Sequence, residues 1–140
     1  MKYLLDTNVL SDVIRYPHGT LANRIENTDE ADLFTSVFVA CELRFGAELI
    51  NSKRLRTGID TVLSALHVAD FSADCTEIYA RVAAKLEKNG RRTGIFDTLI
   101  AAHSLSYGAV LVTDNVKHFA DIEGLEVQNW KRDNASKEDE

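Results

Sequence analysis

The chain has 140 residues, of which 45% are hydrophobic and 27% are charged, with a formal net charge of −6 at pH 7. This length fits one domain with a substantial core and is too short for two ordinary domains. The negative charge excludes a protein that coats nucleic acid by bulk electrostatic attraction, but it does not exclude an enzyme whose acidic site recruits cations first.

The N-terminus predicts a short strand rather than a targeting segment. Residues 3–5 are apolar, and Asp6 ends this run before the seven or more apolar residues of a signal peptide are reached. No other apolar stretch approaches the roughly 18 residues of a membrane-spanning helix. We therefore expect a cytoplasmic protein whose first strand is followed by Asp6-Thr7-Asn8, a suitable cap for a helix.

Strand and helix signals alternate along the rest of the chain. Apolar residues at helical spacing predict helices over 9–14, 21–25, 36–50, 58–66, 78–86, 95–107 and 116–119. Short apolar runs predict strands over 3–5, 33–35, 67–69, 109–113 and 126–128. This alternation predicts an α/β fold with one open parallel β-sheet of four to five strands flanked by helices. We expect residues 1–130 to form this domain and residues 131–140 to form a polar, flexible tail.

The two cysteines, Cys41 and Cys75, lack the spacing typical of a metal site or a redox pair. Both are flanked by apolar residues in stretches with helical character. This context favours free, buried thiols in a reducing compartment, and we expect no disulfide.

Acidic side chains follow two of the predicted strands. Asp6 comes directly after residues 3–5, and Asp114 with Asn115 comes after residues 109–113, the strongest predicted strand. In open parallel sheets the ligand site lies beyond the carboxyl ends of the strands. We therefore expect these side chains at the edge of the sheet where a ligand would bind.

Two further acids lie early in predicted helices, next to apolar positions. Asp97 shares a helix face with Ile100 and Ala101, and Glu42 adjoins Leu43. Acids directed toward the interior are unfavourable unless a cation compensates them, and neighbouring acids raise one another's pKa. A divalent ion such as Mg²⁺ or Mn²⁺ resolves this conflict, since hard oxygen ligands suit it.

Each acid also has an ordinary structural explanation. Asp6 and Asp97 could simply stabilise helix N-termini, where negative charge is favourable by up to about 1 kcal/mol. Glu42 could be a surface residue of a partly exposed helix. The arrival of acids from separate segments at one predicted edge favours a carboxylate metal site, whose substrate the spacing alone leaves open.

Four segments resemble the successive motifs of PIN-domain ribonucleases, and most closely those of VapC-type toxins of bacterial toxin–antitoxin pairs. They are Leu4-Leu5-Asp6-Thr7-Asn8-Val9-Leu10, Cys41-Glu42-Leu43-Arg44-Phe45-Gly46-Ala47, Phe96-Asp97-Thr98-Leu99-Ile100-Ala101-Ala102-His103 and Leu111-Val112-Thr113-Asp114-Asn115-Val116-Lys117-His118-Phe119. The ending Gly124-Leu125-Glu126-Val127-Gln128-Asn129-Trp130 is similar to that branch as well. The resemblance covers the chain up to Trp130 in the expected order.

This resemblance implies a catalytic site of four positions. Asp6 and Asp97 would be direct metal ligands, and Glu42 would be the third acid, which often acts through a bound water. The fourth family position falls on Asn115, with Asp114 as the less favoured occupant. Because this position holds an amide rather than a carboxylate, a tightly held second metal is in doubt.

The resemblance also implies supporting residues, a substrate and partners. Thr7, Asn8, Thr113 and Asp114 would orient the acids through hydrogen bonds. The expected activity is Mg²⁺- or Mn²⁺-dependent cleavage of RNA, with tRNA or another structured RNA as substrate, attacked in a single-stranded loop. A small antitoxin protein and a second copy of the chain are the expected partners.

Two histidines, His103 and His118, lie within these motifs. His103 lies six residues after Asp97, about 240° around the helix, which favours a structural role, while His118 near the site could contact RNA.

Two other functions are alternatives to a ribonuclease. One is a flavodoxin-like phospho-acceptor signalling domain, but it would need an acidic pair where Asp6 is followed by Thr7-Asn8. The other is a catalytically silent PIN-like binding module, which would not need all three acids.

Overall fold

The computed structural model describes residues 1–91 and 93–131. The strands are β1 (Tyr3–Leu5), β2 (Leu33–Ser36), β3 (His67–Ala69), β4 (Val110–Val112) and β5 (Val127–Gln128). The α-helices are α1 (Thr7–Arg15), α2 (Thr20–Glu26), α3 (Val37–Leu49), α4 (Lys53–Ala65), α5 (Cys75–Lys88), α6 (Ile95–Ser106) and α7 (Val116–Phe119). None of the helices in these two ranges is both long and apolar enough to cross a bilayer.

The strands form one parallel sheet in the order β3-β2-β1-β4-β5. Leu4 and Leu5 of β1 and all three residues of β4 are buried, because helices cover the sheet. The sheet extends from β1 to β2 and β3 on one side, and β4 and β5 are added on the other side of β1, so the strand order switches between the neighbouring strands β1 and β4. The predicted α/β fold with an open parallel sheet is confirmed.

The carboxyl ends of β1 and β4 are held in register just before the polar residues begin. Leu5 pairs with Val112, and the backbone N–H of Asp6 donates to the carbonyl of Val112 at 3.0 Å. This bond carries the parallel pairing one residue past β1. It therefore fixes where the Asp6 side chain leaves the sheet.

The last part of the described chain is anchored to the core. Trp130 is 2% exposed, and its ring meets that of Tyr3 in an edge-on contact with centroids 5.1 Å apart. Its indole N–H donates to Gln128 at 2.9 Å. The tail predicted over 131–140 falls, apart from Lys131, outside the described residues.

Two details of the structure differ from the sequence predictions. Helix α4 begins at Lys53 rather than near residue 58, because the Ser52 hydroxyl caps it by accepting a hydrogen bond from the Leu55 N–H at 3.1 Å. The charged first turn of this helix has no apolar residues at helical spacing, so the sequence did not predict it. Cys41 is exposed, so the prediction of two buried thiols was wrong for that residue. It lies two positions from both Val39 and Leu43, which places it about 200° around α3 from these buried residues.

Candidate active site

A polar cleft of about 460 Å³ opens at the carboxyl edge of the sheet. The residues of the sequence motifs that line it are Asp6, Thr7, Asn8, Glu42, Asp97 and Asn115. They come from the end of β1, from α1, α3 and α6, and from the loop after β4. The fold thus brings the three acids singled out in the sequence into one cleft, although 91 residues of chain separate the first from the last.

Asp6 is the most buried of these acids, with 3% of its surface exposed. As the residue before α1, it accepts a hydrogen bond from the backbone N–H of Thr7 at 2.8 Å. Its second oxygen accepts one from the Thr113 hydroxyl at 2.7 Å, and the amide of Asn8 lies 3.5 Å from the same oxygen. These contacts hold the carboxylate rigidly between β1 and the end of β4.

The environment of Asp6 disfavours its charged form. Burial raises the pKa of its carboxyl above the ordinary value of 3.8, the hydrogen bonds from Thr113 and Thr7 lower it, and the charges of Asp97 and Glu42 raise it. The result of these opposing effects is a raised pKa. Asp97 and Glu42 therefore lie close enough to Asp6 for their charges to act on its carboxyl.

Glu42 is positioned by a contact between two helices. It lies on α3 next to the buried Leu43, and its Oε1 accepts a hydrogen bond from the Thr7 hydroxyl at 2.6 Å. Thr7 therefore touches two acids, Asp6 through its backbone and Glu42 through its side chain. This bridge turns the Glu42 carboxylate toward the cleft rather than toward solvent.

Asp97 lies in the first turn of α6, and 26% of its side chain is exposed. Its Oδ2 is 3.2 Å from Nδ1 of His118, a residue of the short helix α7. The sequence analysis linked His118 only to a possible RNA contact, so this pairing was missed. A signal did exist, because α7 follows directly on the loop that carries Asn115 at the edge of the cleft.

Asp114 and Asn115, in the loop after β4, make different contacts. Asn115 lines the cleft, and its backbone N–H donates to the Thr113 hydroxyl at 3.0 Å. The Asp114 carboxylate instead accepts a hydrogen bond from the Asn129 amide at 2.9 Å, outside the set of cleft residues. The backbone N–H of Asp114 donates to Asn8 Oδ1 at 3.0 Å, which fixes the loop against α1. Of the two candidates for the fourth position, the structure places Asn115 at the cleft.

The donor set suits a hard divalent cation. Within the described ranges, no Lys or Arg forms a salt bridge with Asp6, Glu42 or Asp97, and the basic side chain found beside one of them is His118, next to Asp97. In the same part of the chain, no three His, Cys, Asp or Glu side chains are close enough to enclose an ion by themselves. Mg²⁺ accepts this arrangement, since it commonly keeps several waters and binds through one or two carboxylates plus a substrate phosphate.

His103 lies away from the cleft, as its helical position predicted. It is fully buried, with Nδ1 2.8 Å from the Ser36 hydroxyl and Nε2 3.1 Å from the Asp70 carbonyl. The ring therefore joins α6 to the end of β2 and to the loop after β3. Both ring nitrogens are satisfied by the protein, which is the pattern of a structural histidine.

The cleft extends along α1 beyond the acids. Ser11, Asp12, Arg15 and Tyr16 also line it, and none of them was singled out from the sequence. The signal that could have found the first three is their spacing, because positions 7, 8, 11, 12 and 15 fall within about 140° of the helix circumference. The polar side of α1 lines the cleft, and Val9 and Leu10 on its other side are buried in the core.

Comparison with known proteins identifies the family. The PIN domain model matches residues 3–125. The chain belongs to the PIN-domain family. It is 34% identical over 134 residues to ribonuclease VapC2 of Rickettsia felis, a match that covers 94% of this chain and 100% of that protein. It is 30% identical over 131 residues to the tRNA(fMet)-specific endonuclease VapC of Shigella flexneri, covering 93% and 98% of the two chains.

Solved structures agree with this PIN-domain assignment. VapBC2 of Rickettsia felis, bound to a DNA fragment from its promoter, contains a chain that superimposes with a TM-score of 0.85 at 34% identity, covering 93% of this chain and 99% of that one. DNA-bound VapBC of Salmonella typhimurium gives a TM-score of 0.82 at 28% identity, with coverage of 93% and 98%. The family is the one that the sequence motifs resemble, not that of the phospho-acceptor signalling domains.

Proposed function

We propose that this PIN-domain protein is the toxin of a toxin–antitoxin pair and hydrolyses phosphodiester bonds in RNA with a divalent metal ion, Mg²⁺ or Mn²⁺. The observation that carries the proposal is the cleft itself. A buried carboxylate, Asp6, faces Glu42 and Asp97 at the carboxyl edge of a parallel sheet, and no Lys or Arg of the described residues neutralises them. The VapC ribonucleases that share about a third of the sequence support it.

Asp6 and Asp97 would hold the ion, with Glu42 as the third acid. When bound, a divalent ion stabilises the charge that develops on a phosphate and lowers the pKa of a coordinated water. Glu42 orients the attacking water and accepts its proton, because the Thr7 hydroxyl fixes one carboxylate oxygen and leaves the other free for this contact.

The amide and hydroxyl groups around the acids keep this geometry. Thr113 donates to Asp6 and accepts from Asn8 at 3.1 Å and from the Asn115 N–H, so its single hydroxyl ties three segments together. The side chain of Asn115 would complete the cleft as a neutral fourth group. A neutral group there lowers the repulsion among the acids and favours one ion over two.

The substrate and partners follow from the relatives. The Shigella flexneri VapC is specific for tRNA(fMet), which favours tRNA or another structured RNA as the substrate of this chain. The superimposed solved structures are VapBC complexes, which favours a small cognate antitoxin as a partner. We also propose that the chain forms a homodimer.

The decisive experiment is cleavage of purified tRNA by the purified chain, with Mg²⁺, with Mn²⁺ and with EDTA. We expect discrete fragments only with the metals, and loss of cleavage in Asp97→Asn. A matched control is Asp60→Asn, which removes an exposed carboxylate paired with Arg44 at 2.9 Å outside the cleft. Cleavage in EDTA, or equal cleavage by Asp97→Asn and the wild type, would overturn the proposal, and absence of cleavage under all conditions would favour the silent binding module.

A further inference from the structure

We infer that Arg15 and Tyr16 form a nucleotide-binding subsite at the far end of the cleft, where Arg15 contacts an RNA phosphate that flanks the cleavage site and Tyr16 stacks on the adjacent base. This inference rests on the proposed function, because it takes RNA as the molecule in the cleft. It adds two binding residues to the acids of the PIN-domain site.

The first step of the argument is the length of the cleft. It is lined by residues from Thr7 to Arg15 along one face of α1, and eight residues of helix span about 12 Å. In the proposed reaction, Asp6 and Asp97 would hold the metal ion and the scissile phosphate near one end of this cleft. The remaining length can hold the next part of a polynucleotide strand, whose backbone must pass along α1.

The second step is the charge of Arg15. Four carboxylates line this cleft, and such a surface repels RNA. Asp12 is already paired, since its Oδ2 is 3.0 Å from Lys131 Nζ. The Arg15 guanidinium forms no hydrogen bond or salt bridge to any other described residue, although it lies in an acidic cleft. An exposed, uncommitted guanidinium is well suited to bidentate contact with a phosphate.

The third step is the position of the Tyr16 ring. Tyr16 is 53% exposed and lines the same cleft, and its ring stacks on no other aromatic ring within residues 1–91 and 93–131. Pro17 follows it and disfavours helical backbone angles at Tyr16, whose φ is −126° and ψ is 74°, so α1 ends at this point. The Gly19 N–H donates to the Tyr16 carbonyl at 3.0 Å and closes the turn. The ring is therefore presented from an ordered turn rather than a loose loop.

Together these two residues complement the acids chemically. Arg15 offsets the acidic repulsion by contacting the backbone, which carries no sequence information. Tyr16 offers a flat surface for an unstacked base, and such stacking tolerates different bases. The subsite thus selects single-stranded RNA with splayed bases and leaves the choice of sequence to other contacts.

The test is equilibrium binding of a fluorescent 12-nucleotide single-stranded RNA of mixed sequence, measured by anisotropy at several salt concentrations in an Asp6→Asn background that prevents cleavage. We expect Arg15→Gln to weaken binding and to reduce the slope of log affinity against log salt by about one. We expect Tyr16→Ala to weaken binding by about fivefold or more and Tyr16→Phe to retain it. The controls are Arg54→Gln and Phe45→Ala, two exposed positions that do not line the cleft.

The outcomes separate this inference from the proposed function. If the wild type cleaves tRNA but Arg15→Gln has the same salt slope as Arg54→Gln, the inference is wrong and the ribonuclease assignment stands. Equal affinities for Tyr16→Ala and Phe45→Ala would likewise overturn the stacking role. If RNA is not cleaved under any condition while Arg15→Gln still lowers the slope, the assigned chemistry fails and the binding subsite stands.

Discussion

Two cavities of similar size lie in different parts of the molecule and differ in how their charges are balanced. The cleft at the carboxyl edge of the sheet has about 460 Å³, and a groove between α5 and residues 121–124 has about 510 Å³. The groove has an apolar floor that includes Val82, Leu86 and Ile122. Its size alone would make it the better candidate for a binding site.

Both acids that line the groove, Asp121 and Glu123, are paired with basic side chains. Lys85 forms an ion pair with Glu123, and Arg91 pairs with Asp121 at 2.6 Å. In the cleft, by contrast, Asp6 and Glu42 receive only hydrogen bonds, and their like charges remain uncompensated. Carboxylates that the fold keeps without a Lys or Arg partner among the described residues, rather than cavity volume, therefore distinguish the site where chemistry is expected.

The largest effect that would test this contrast comes from Asp6→Asn. We expect it to lower the rate of RNA cleavage by more than about 100-fold, since even residues that only support metal ligands typically contribute 10- to 100-fold. We expect its melting temperature to equal or exceed that of the wild type, because a buried carboxylate without a cation is unfavourable. Cleavage assays and thermal unfolding without added metal measure both quantities.

Asp60→Asn is the control variant for both the cleavage assay and the thermal unfolding experiment. This exposed carboxylate pairs with Arg44, so its loss should leave the cleavage rate intact. A strong drop in the melting temperature of Asp6→Asn would instead show that Asp6 serves mainly to stabilise the start of α1.

A smaller effect is expected from His118, which contacts Asp97 at 3.2 Å. The imidazole holds one oxygen of Asp97 and leaves the other for an ion, so His118 is a positioning residue. His118→Ala should weaken Mn²⁺ binding by about tenfold in isothermal titration calorimetry. His118→Asn, whose amide can occupy the place of Nδ1, should restore much of the affinity. Equal Mn²⁺ affinities in the wild type and His118→Ala would contradict this role.

The fold and the acids were predictable from the sequence, whereas contacts between side chains of distant segments were not. Apolar runs and helical periods located the strands, and the rule for parallel sheets placed Asp6 and Asn115 at one edge. The sequence places α7 directly after Asn115, but the pairing of His118 with Asp97 also depends on how α7 packs against α6.

The contribution of α1 to the cleft was also not predicted from the sequence. The pattern around Val9 and Leu10 revealed the buried face of this helix, but a polar face normally faces solvent. Only the fold shows that Arg15 and Tyr16 lie along the same cleft as Asp6. The start of α4 was missed for a related reason, since Ser52 and a charged first turn carry no hydrophobic period.

A third prediction concerns His103, a buried titratable residue outside the cleft. Burial lowers the pKa of His103 below its ordinary value of 6.5, against opposing effects of the Asp70 carbonyl and carboxylate. Below pH 6.5 the unfolded chain takes up a proton that the native imidazole resists, so the free energy of unfolding falls as the pH decreases. Urea unfolding between pH 7.5 and pH 5 should show a larger loss for the wild type than for His103→Gln.

The control for this comparison is His67→Gln, at an exposed position at the start of β3. It should keep the pH dependence of the wild type. If His103→Gln and the wild type lose stability in parallel over this range, His103 is not the group that makes the fold sensitive to acid.

The smallest effect is expected from Glu123→Gln, a substitution in the groove. Glu123 pairs with Lys85 on the surface, and this hydrogen bond and the lysine charge lower the pKa of Glu123. Because both partners are mostly exposed, solvent and salt already screen the pair, and Glu123→Gln should change neither the melting temperature nor RNA cleavage measurably. The measurements are those used for Asp6→Asn, carried out side by side. A loss of cleavage in Glu123→Gln comparable to that in Asp6→Asn would mean that the groove takes part in the reaction although its acids are paired. The pairing of the acids would then no longer separate the two cavities.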